Sequence, residues 1–151
     1  MNNTKVLLIE DEKDKMENIS SCIKNEFDDI DLDFSGSYTT AIKSIYENKY
    51  DLILLDMSLP FTEDGEENFE DNEFETFGGI NILDELKRIY YKTKVILITA
   101  FDILGDGNDM IKLSQLNETL NKNYCEIYKG YIHYNSSSIE WKNLLKLLIE
   151  E

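Results

Sequence analysis

Three short runs, Val6-Leu7-Leu8-Ile9, Leu52-Ile53-Leu54-Leu55 and Val95-Ile96-Leu97-Ile98, are apolar at every position. A strand with one solvated face alternates polar and apolar residues, so an unbroken run marks a strand covered on both faces, as in a parallel sheet. Between and after these runs the apolar residues take helical spacing: Met16, Ile19, Ile23 and Phe27; Ala41, Ile42, Ile45 and Tyr46; Ile80, Leu83, Leu86 and Ile89. A weaker strand is expected at Ile30 to Phe34, a fourth helix at about Met110 to Leu120, and a last helix from Ile139 to Ile149 with Ser137 or Ser138 as its N-cap. Strand and helix thus alternate five times. That order predicts an α/β fold with an open five-stranded parallel sheet, right-handed crossovers and helices on both faces. In such a sheet, ligands bind beyond the carboxyl ends of the strands.

With 151 residues, 42% of them hydrophobic, the chain has the size and apolar content of one domain spanning 1–151. Fifteen basic residues against thirty-one acidic ones leave a net charge of −16, and Arg88 is the lone arginine, which argues against nucleic acid and anionic membrane as partners. Cys22 and Cys125 form no metal-ligand or redox spacing, and no window approaches the roughly 18 apolar residues of a membrane span. A soluble, reduced, cytoplasmic chain is expected. Phe61 to Phe77 is dense in Asp and Glu without helical or strand period and reads as an acidic loop insertion, either disordered or a lid over the site. The region from Ile103 to Tyr128 is also long for one strand-to-strand connection, and only Glu150 and Glu151 follow the last helix, so no fused output domain is expected.

The first strand ends in Glu10-Asp11-Glu12 and the third in Asp56. If those strands are neighbours, three carboxylates converge. Two such charges about 5 Å apart repel by roughly 3 kcal/mol at an effective dielectric of 20, so the cluster needs a proton or a cation. An all-oxygen site of this kind suits Mg2+ or Mn2+. The acids of Glu10 to Asp14 taken alone read as a solvated helix N-terminus. Asp56 is different, because packing does not explain an ionised carboxylate straight after a buried strand.

Val6-Leu-Leu-Ile-Glu-Asp-Glu12, Asp51-Leu-Ile-Leu-Leu-Asp-Met-Ser-Leu-Pro60 and Thr99-Ala100 together resemble the signature segments of response-regulator receiver domains, in the right order over nearly the whole chain. The resemblance implies a flavodoxin-like sheet of order 2-1-3-4-5. It makes Asp56 the phosphoacceptor that becomes an aspartyl phosphate. Asp11, Asp56 and the main-chain carbonyl of Ser58 become the metal ligands, with Glu10 acting through water. Thr99 and Tyr131 become switch residues. Gly130-Tyr131 is similar to the pair that precedes the family's lysine, and by that alignment Tyr134 stands at the lysine position. Lys129 is the alternative, disfavoured because Glu126, not an aromatic residue, lies three positions before it. Loss of a cation near 4 Å from a phosphoryl oxygen forfeits roughly 4 kcal/mol at an effective dielectric of 20 before desolvation. The single His133 reads as a bystander and Trp141 as core.

The resemblance implies a stand-alone receiver of two-component (phosphorelay) signal transduction. It would accept a phosphoryl group in a magnesium-dependent manner from a sensor histidine kinase or phosphotransfer protein and act on a separate output protein, with homodimer formation left open. It is not expected to be an enzyme beyond self-catalysed phosphotransfer and dephosphorylation. The alternative is a pseudo-receiver, an interaction module that signals without phosphorylation, motivated by Tyr134. A haloacid-dehalogenase-like hydrolase wants a second Asp two residues after the nucleophile, where Ser58 stands. Dinucleotide binding lacks its Gly-x-Gly-x-x-Gly turn.

Overall fold

A computed structural model describes residues 3–60, 72–100, 103–104 and 111–150. The strands are β1 (Thr4–Ile9), β2 (Ile30–Ser35), β3 (Leu52–Leu55), β4 (Lys94–Thr99), β5 (Ile103–Leu104), β6 (Ile111–Lys112) and β7 (Tyr128–His133). The helices are α1 (Lys13–Glu26), α2 (Tyr38–Glu47), α3 (Asn72–Arg88), α4 (Leu113–Asn123) and α5 (Glu140–Glu150). Five parallel strands form one sheet in the order β2-β1-β3-β4-β7, which is the expected 2-1-3-4-5 order, and β5 and β6 form a separate antiparallel pair.

Alternate residues of each central strand feed two cores. Leu7, Ile9, Ile53, Leu55, Val95 and Leu97 face α2, α3 and α4, while Val6, Leu8, Leu52, Leu54, Ile96 and Ile98 face α1 and α5. Both sides of the sheet are therefore dry, which is why these runs carry no polar alternation. Helix α2 starts where the Ser37 hydroxyl accepts the Thr40 N–H at 3.3 Å, satisfying one of the donors a helix N-terminus leaves open. At α5 the Ser138 hydroxyl accepts the Glu140 N–H at 3.1 Å.

Three expectations shift. Residues 72–77, read as the end of the acidic insertion, are the first turns of α3. Acidic residues suit the positive end of a helix dipole, so their charge did not distinguish loop from helix start. Residues 61–71 of that insertion lie outside the described residues. The fourth helix begins at Leu113, not Met110, because the β5–β6 pair occupies the chain just before it. The last helix runs one residue later than expected at each end.

Strand β7 carries a bulge. Val95 of β4 pairs with Tyr128 and Ile96 with Gly130, so Lys129 is an extra residue, and Gly130 takes φ +142°, which an L side chain rarely adopts. Before the bulge Tyr128 faces the α2/α3/α4 core. After it Tyr131 faces that core, and Ile132 and Tyr134 face α1 and α5.

Candidate phosphoacceptor and metal site

Strands β1 and β3 are parallel neighbours with Ile9 opposite Leu55, so the residues that follow them, Glu10 and Asp56, emerge side by side. The backbone fixes both. The Asp56 N–H donates to the Ile9 carbonyl at 3.0 Å, and the Glu10 N–H donates to the Ser35 carbonyl at 2.9 Å. Oxygen atoms of Glu10, Asp11 and Asp56 lie within 4.8 Å of one another. They line a pocket of about 400 Å³ whose wall also includes Glu12, Lys15, Ser58, Leu59, Pro60 and Ala100.

The loop carrying Asp56 is clamped from below by α3. A Cβ on Gly79 would lie 2.8 Å from the Asp56 carbonyl oxygen, and one on Gly78 would lie 2.7 Å from that of Leu59. The Gly79 N–H donates to the Met57 carbonyl at 2.9 Å. Two side-chain-free residues thus let the helix touch the backbone of the loop and hold the acid in place.

Burial sets the electrostatics. Glu10 is 1% and Asp56 4% exposed, whereas Asp11 is exposed. Desolvation is the largest influence on all three carboxyls and raises each above its ordinary value. Glu10, further burdened by the Asp56 charge, rises to about 8. The opposing influence is Lys15, an ammonium only 2% exposed that enters from the first turn of α1. Its Nζ donates to Glu10 Oε2 at 2.9 Å and to the Ile98 carbonyl at 2.9 Å, and stands 3.5 Å from Asp56 Oδ1. One cation facing three acids leaves the cluster short of positive charge. Asp56 Oδ1 also accepts no hydrogen bond among the described residues. Clustered hard oxygens with an unsatisfied buried acceptor fit a divalent cation of the magnesium type.

Other expected site residues fall around this centre. Thr99 ends β4, fully buried, and its carbonyl accepts the Tyr134 N–H at 2.7 Å. Tyr134 therefore stands at the carboxyl end of the sheet. Its ring is 4.9 Å from that of Trp141, and its hydroxyl accepts the Asn18 amide at 2.8 Å. Tyr131 lies on β7 opposite Leu97, half-buried against the α2/α3/α4 core. Lys129 is not brought to the site. It is the exposed bulge residue near the start of β7 and lines a groove with Lys87, Lys94 and Lys122 at the other end of the sheet. His133 is exposed, with Nε2 3.3 Å from the Ala100 carbonyl oxygen.

Lys15 is the residue that reading the sequence missed. Within Lys13-Asp14-Lys15 it looks like one more solvated charge, yet it lies four and eight residues before Ile19 and Ile23 and so shares their buried stripe. A cation on the apolar face of a helix was the available signal.

The family profile described as "Response regulator receiver domain" matches residues 6–126. The chain belongs to the response-regulator receiver family. It is 29% identical over 148 residues to the Detocs response regulatory protein DtcB of Enterobacter cloacae, covering 97% of this chain and 99% of that one. It is 27% identical over 142 residues to protein y4jR of Sinorhizobium fredii, covering 94% of each. Among solved structures it resembles the receiver domain of a LuxO repressor protein from Vibrio parahaemolyticus, with TM-score 0.66, 21% identity and coverage of 98% and 88%. It also resembles response regulator TrrA of Thermotoga maritima in complex with Mg(2+)-BeF, with TM-score 0.61, 18% identity and coverage of 96% and 98%. The fold is accordingly that of the CheY-like receivers, and among the described residues no helix is long and apolar enough to cross a membrane.

Proposed function

We propose that this chain is a phosphorylatable receiver that takes a phosphoryl group onto Asp56 and passes the signal to a separate output protein. The observation that carries this reading is the convergence of Glu10, Asp11 and Asp56 within 4.8 Å beyond the ends of two adjacent buried strands. A carboxylate oxygen of Asp56 attacks the phosphorus of a phosphohistidine on a sensor kinase or phosphotransfer protein. The new O–P bond forms as the P–N bond breaks, and the imidazole leaves with the electron pair and takes up a proton. A bound Mg2+ or Mn2+ supplies charge neutralisation for the phosphoryl oxygens. The chain's own residues do the positioning: Asp11 and the Ser58 carbonyl hold the metal side, the Ile9 carbonyl fixes the Asp56 backbone, and Thr99 and Tyr131 form the route by which occupancy is felt at β4 and β7.

The matches to DtcB and y4jR span nearly the whole of both relatives, so the likeness to each extends over nearly its full length. The fold, the net charge of −16 and the match to the receiver profile are consistent with work in the cytoplasm on protein partners rather than on nucleic acid or membrane. Tyr134 at the lysine position favours the second reading, a pseudo-receiver that keeps the site without using it.

Intact mass spectrometry of wild type and Asp56→Asn, incubated with acetyl phosphate with and without magnesium, tests the proposal. A single phosphoryl adduct that requires both Asp56 and the metal is the expected result. A folded wild type that takes no adduct overturns it in favour of the pseudo-receiver.

A further inference from the structure

Two features of the site belong together. Tyr134 brings no positive charge to the end of β7, and Lys15 brings one to the same place from α1. Its Nζ is 5.7 Å from the centroid of the Tyr134 ring, 3.5 Å from Asp56 Oδ1 and 2.9 Å from the carbonyl oxygen of Ile98, the residue before Thr99. An ammonium has three donors. Two are used, on Glu10 and on Ile98, which leaves the third for the side where Asp56 stands. At 3.5 Å that contact is longer than a charge-assisted hydrogen bond, and Asp56 Oδ1 accepts none among the described residues. Lys15 and Asp56 both line the 400 Å³ pocket, which has room for a phosphoryl group.

We propose that Lys15 supplies from α1 the cationic contact to the phosphoryl group that the residue at the end of β7 does not supply. The assignment rests on the reading of Asp56 as phosphoacceptor. It differs from a purely structural role for Lys15, in which the ammonium does no more than neutralise Glu10 and Asp56. A structural counter-ion becomes dispensable once a divalent cation fills the cluster. A phosphoryl contact does not.

The test compares wild type, Lys15→Met and the double variant Lys15→Met/Tyr134→Lys. Adduct formation from acetyl phosphate is followed by intact mass at saturating magnesium, and magnesium affinity is measured separately by calorimetry without phosphodonor. Loss of the Lys15 ammonium is expected to slow adduct formation by on the order of a hundredfold, while magnesium binds several-fold more tightly because a competing cation has gone. The double variant is expected to recover much of the lost rate, since its lysine returns from β7. A Lys15→Met rate within about twofold of wild type, judged against that hundredfold scale, overturns the assignment. If Lys15→Met fails to fold, the double variant decides: phosphorylation upholds the assignment, and a folded double variant that takes no adduct overturns it. Absence of an adduct on wild type sinks the reading of Asp56 itself, and the Lys15 assignment falls with it.

Discussion

The two ends of one sheet handle charge in opposite ways. At the carboxyl end, Glu10, Asp56 and Lys15 are almost completely withdrawn from water. At the amino end, a groove of about 720 Å³ is lined by Lys87, Lys92, Lys94, Lys122 and Lys129 among tyrosines, and all five lysines are exposed. The second cluster is larger by count and holds a third of the chain's fifteen basic residues. Water screens each of its charges, so each group keeps its own hydration and little energy is at stake. In the first cluster every charge must be answered by a neighbour, because desolvation exceeds what a single contact returns. Burial, not number, marks the end where chemistry is prepared.

The sharpest way to break this comparison is to remove one lysine from each end. Lys15→Met leaves the buried Glu10 and Asp56 carboxyls without their cation and is expected to cost about 3 to 5 kcal/mol in metal-free urea unfolding at neutral pH, with part of the loss restored by magnesium. Equal stability of this variant and wild type would show that the buried ion pair contributes nothing net. Gly79→Ala should follow at about 1 to 3 kcal/mol, since its Cβ meets the Asp56 carbonyl oxygen at 2.8 Å and the Met57 Cα at 3.0 Å, neither of which is a flexible side-chain end. An unfolding midpoint unchanged from wild type would mean that α3 and the loop separate at no cost.

The pH dependence is a gentler probe of the same end. The folded-state value for Glu10 lies above its ordinary 4.5, so between pH 4.5 and about 8 the folded protein binds more protons than the unfolded chain. Metal-free stability is therefore fullest below pH 4.5 as far as this group is concerned. It falls as pH rises toward 8, with a slope of at most about 1.4 kcal/mol per pH unit for one proton. Lys15, Asp56 and Asp11 are the charges facing it, and saturating magnesium should flatten the slope. A metal-free stability that rises over this interval would contradict the burial of the Glu10 carboxyl. The smallest effect belongs to the amino end. Lys129→Met should stay within about 0.5 kcal/mol of wild type and leave phosphorylation of Asp56 unaltered, and a loss of adduct in this variant would return Lys129 to the site.

Much of this was legible in the chain itself. The central strands announce themselves because both their faces are dry, and Asp56 stands out because a charge directly after such a strand has no packing explanation. The convergence of Glu10, Asp11 and Asp56 follows once β1 and β3 are neighbours. The β5–β6 pair escaped because two residues are too few to show a period. Residues 72–77 escaped because acidic residues suit a loop and a helix start equally. Lys15 escaped for a different reason: the residues just before it are charged and solvated, and its burial is decided by Glu10, Ile98 and Tyr134, which lie on three other segments.

The bulge at Lys129 settles a matter of parity. In an unbroken strand, residues 128 and 134 differ by an even number and would project to the same side. One additional residue makes the count odd and delivers Tyr134 to the side from which α1 sends Lys15. A single residue inserted at the lysine-rich end of the sheet therefore decides which side chain stands beside Lys15 at the other.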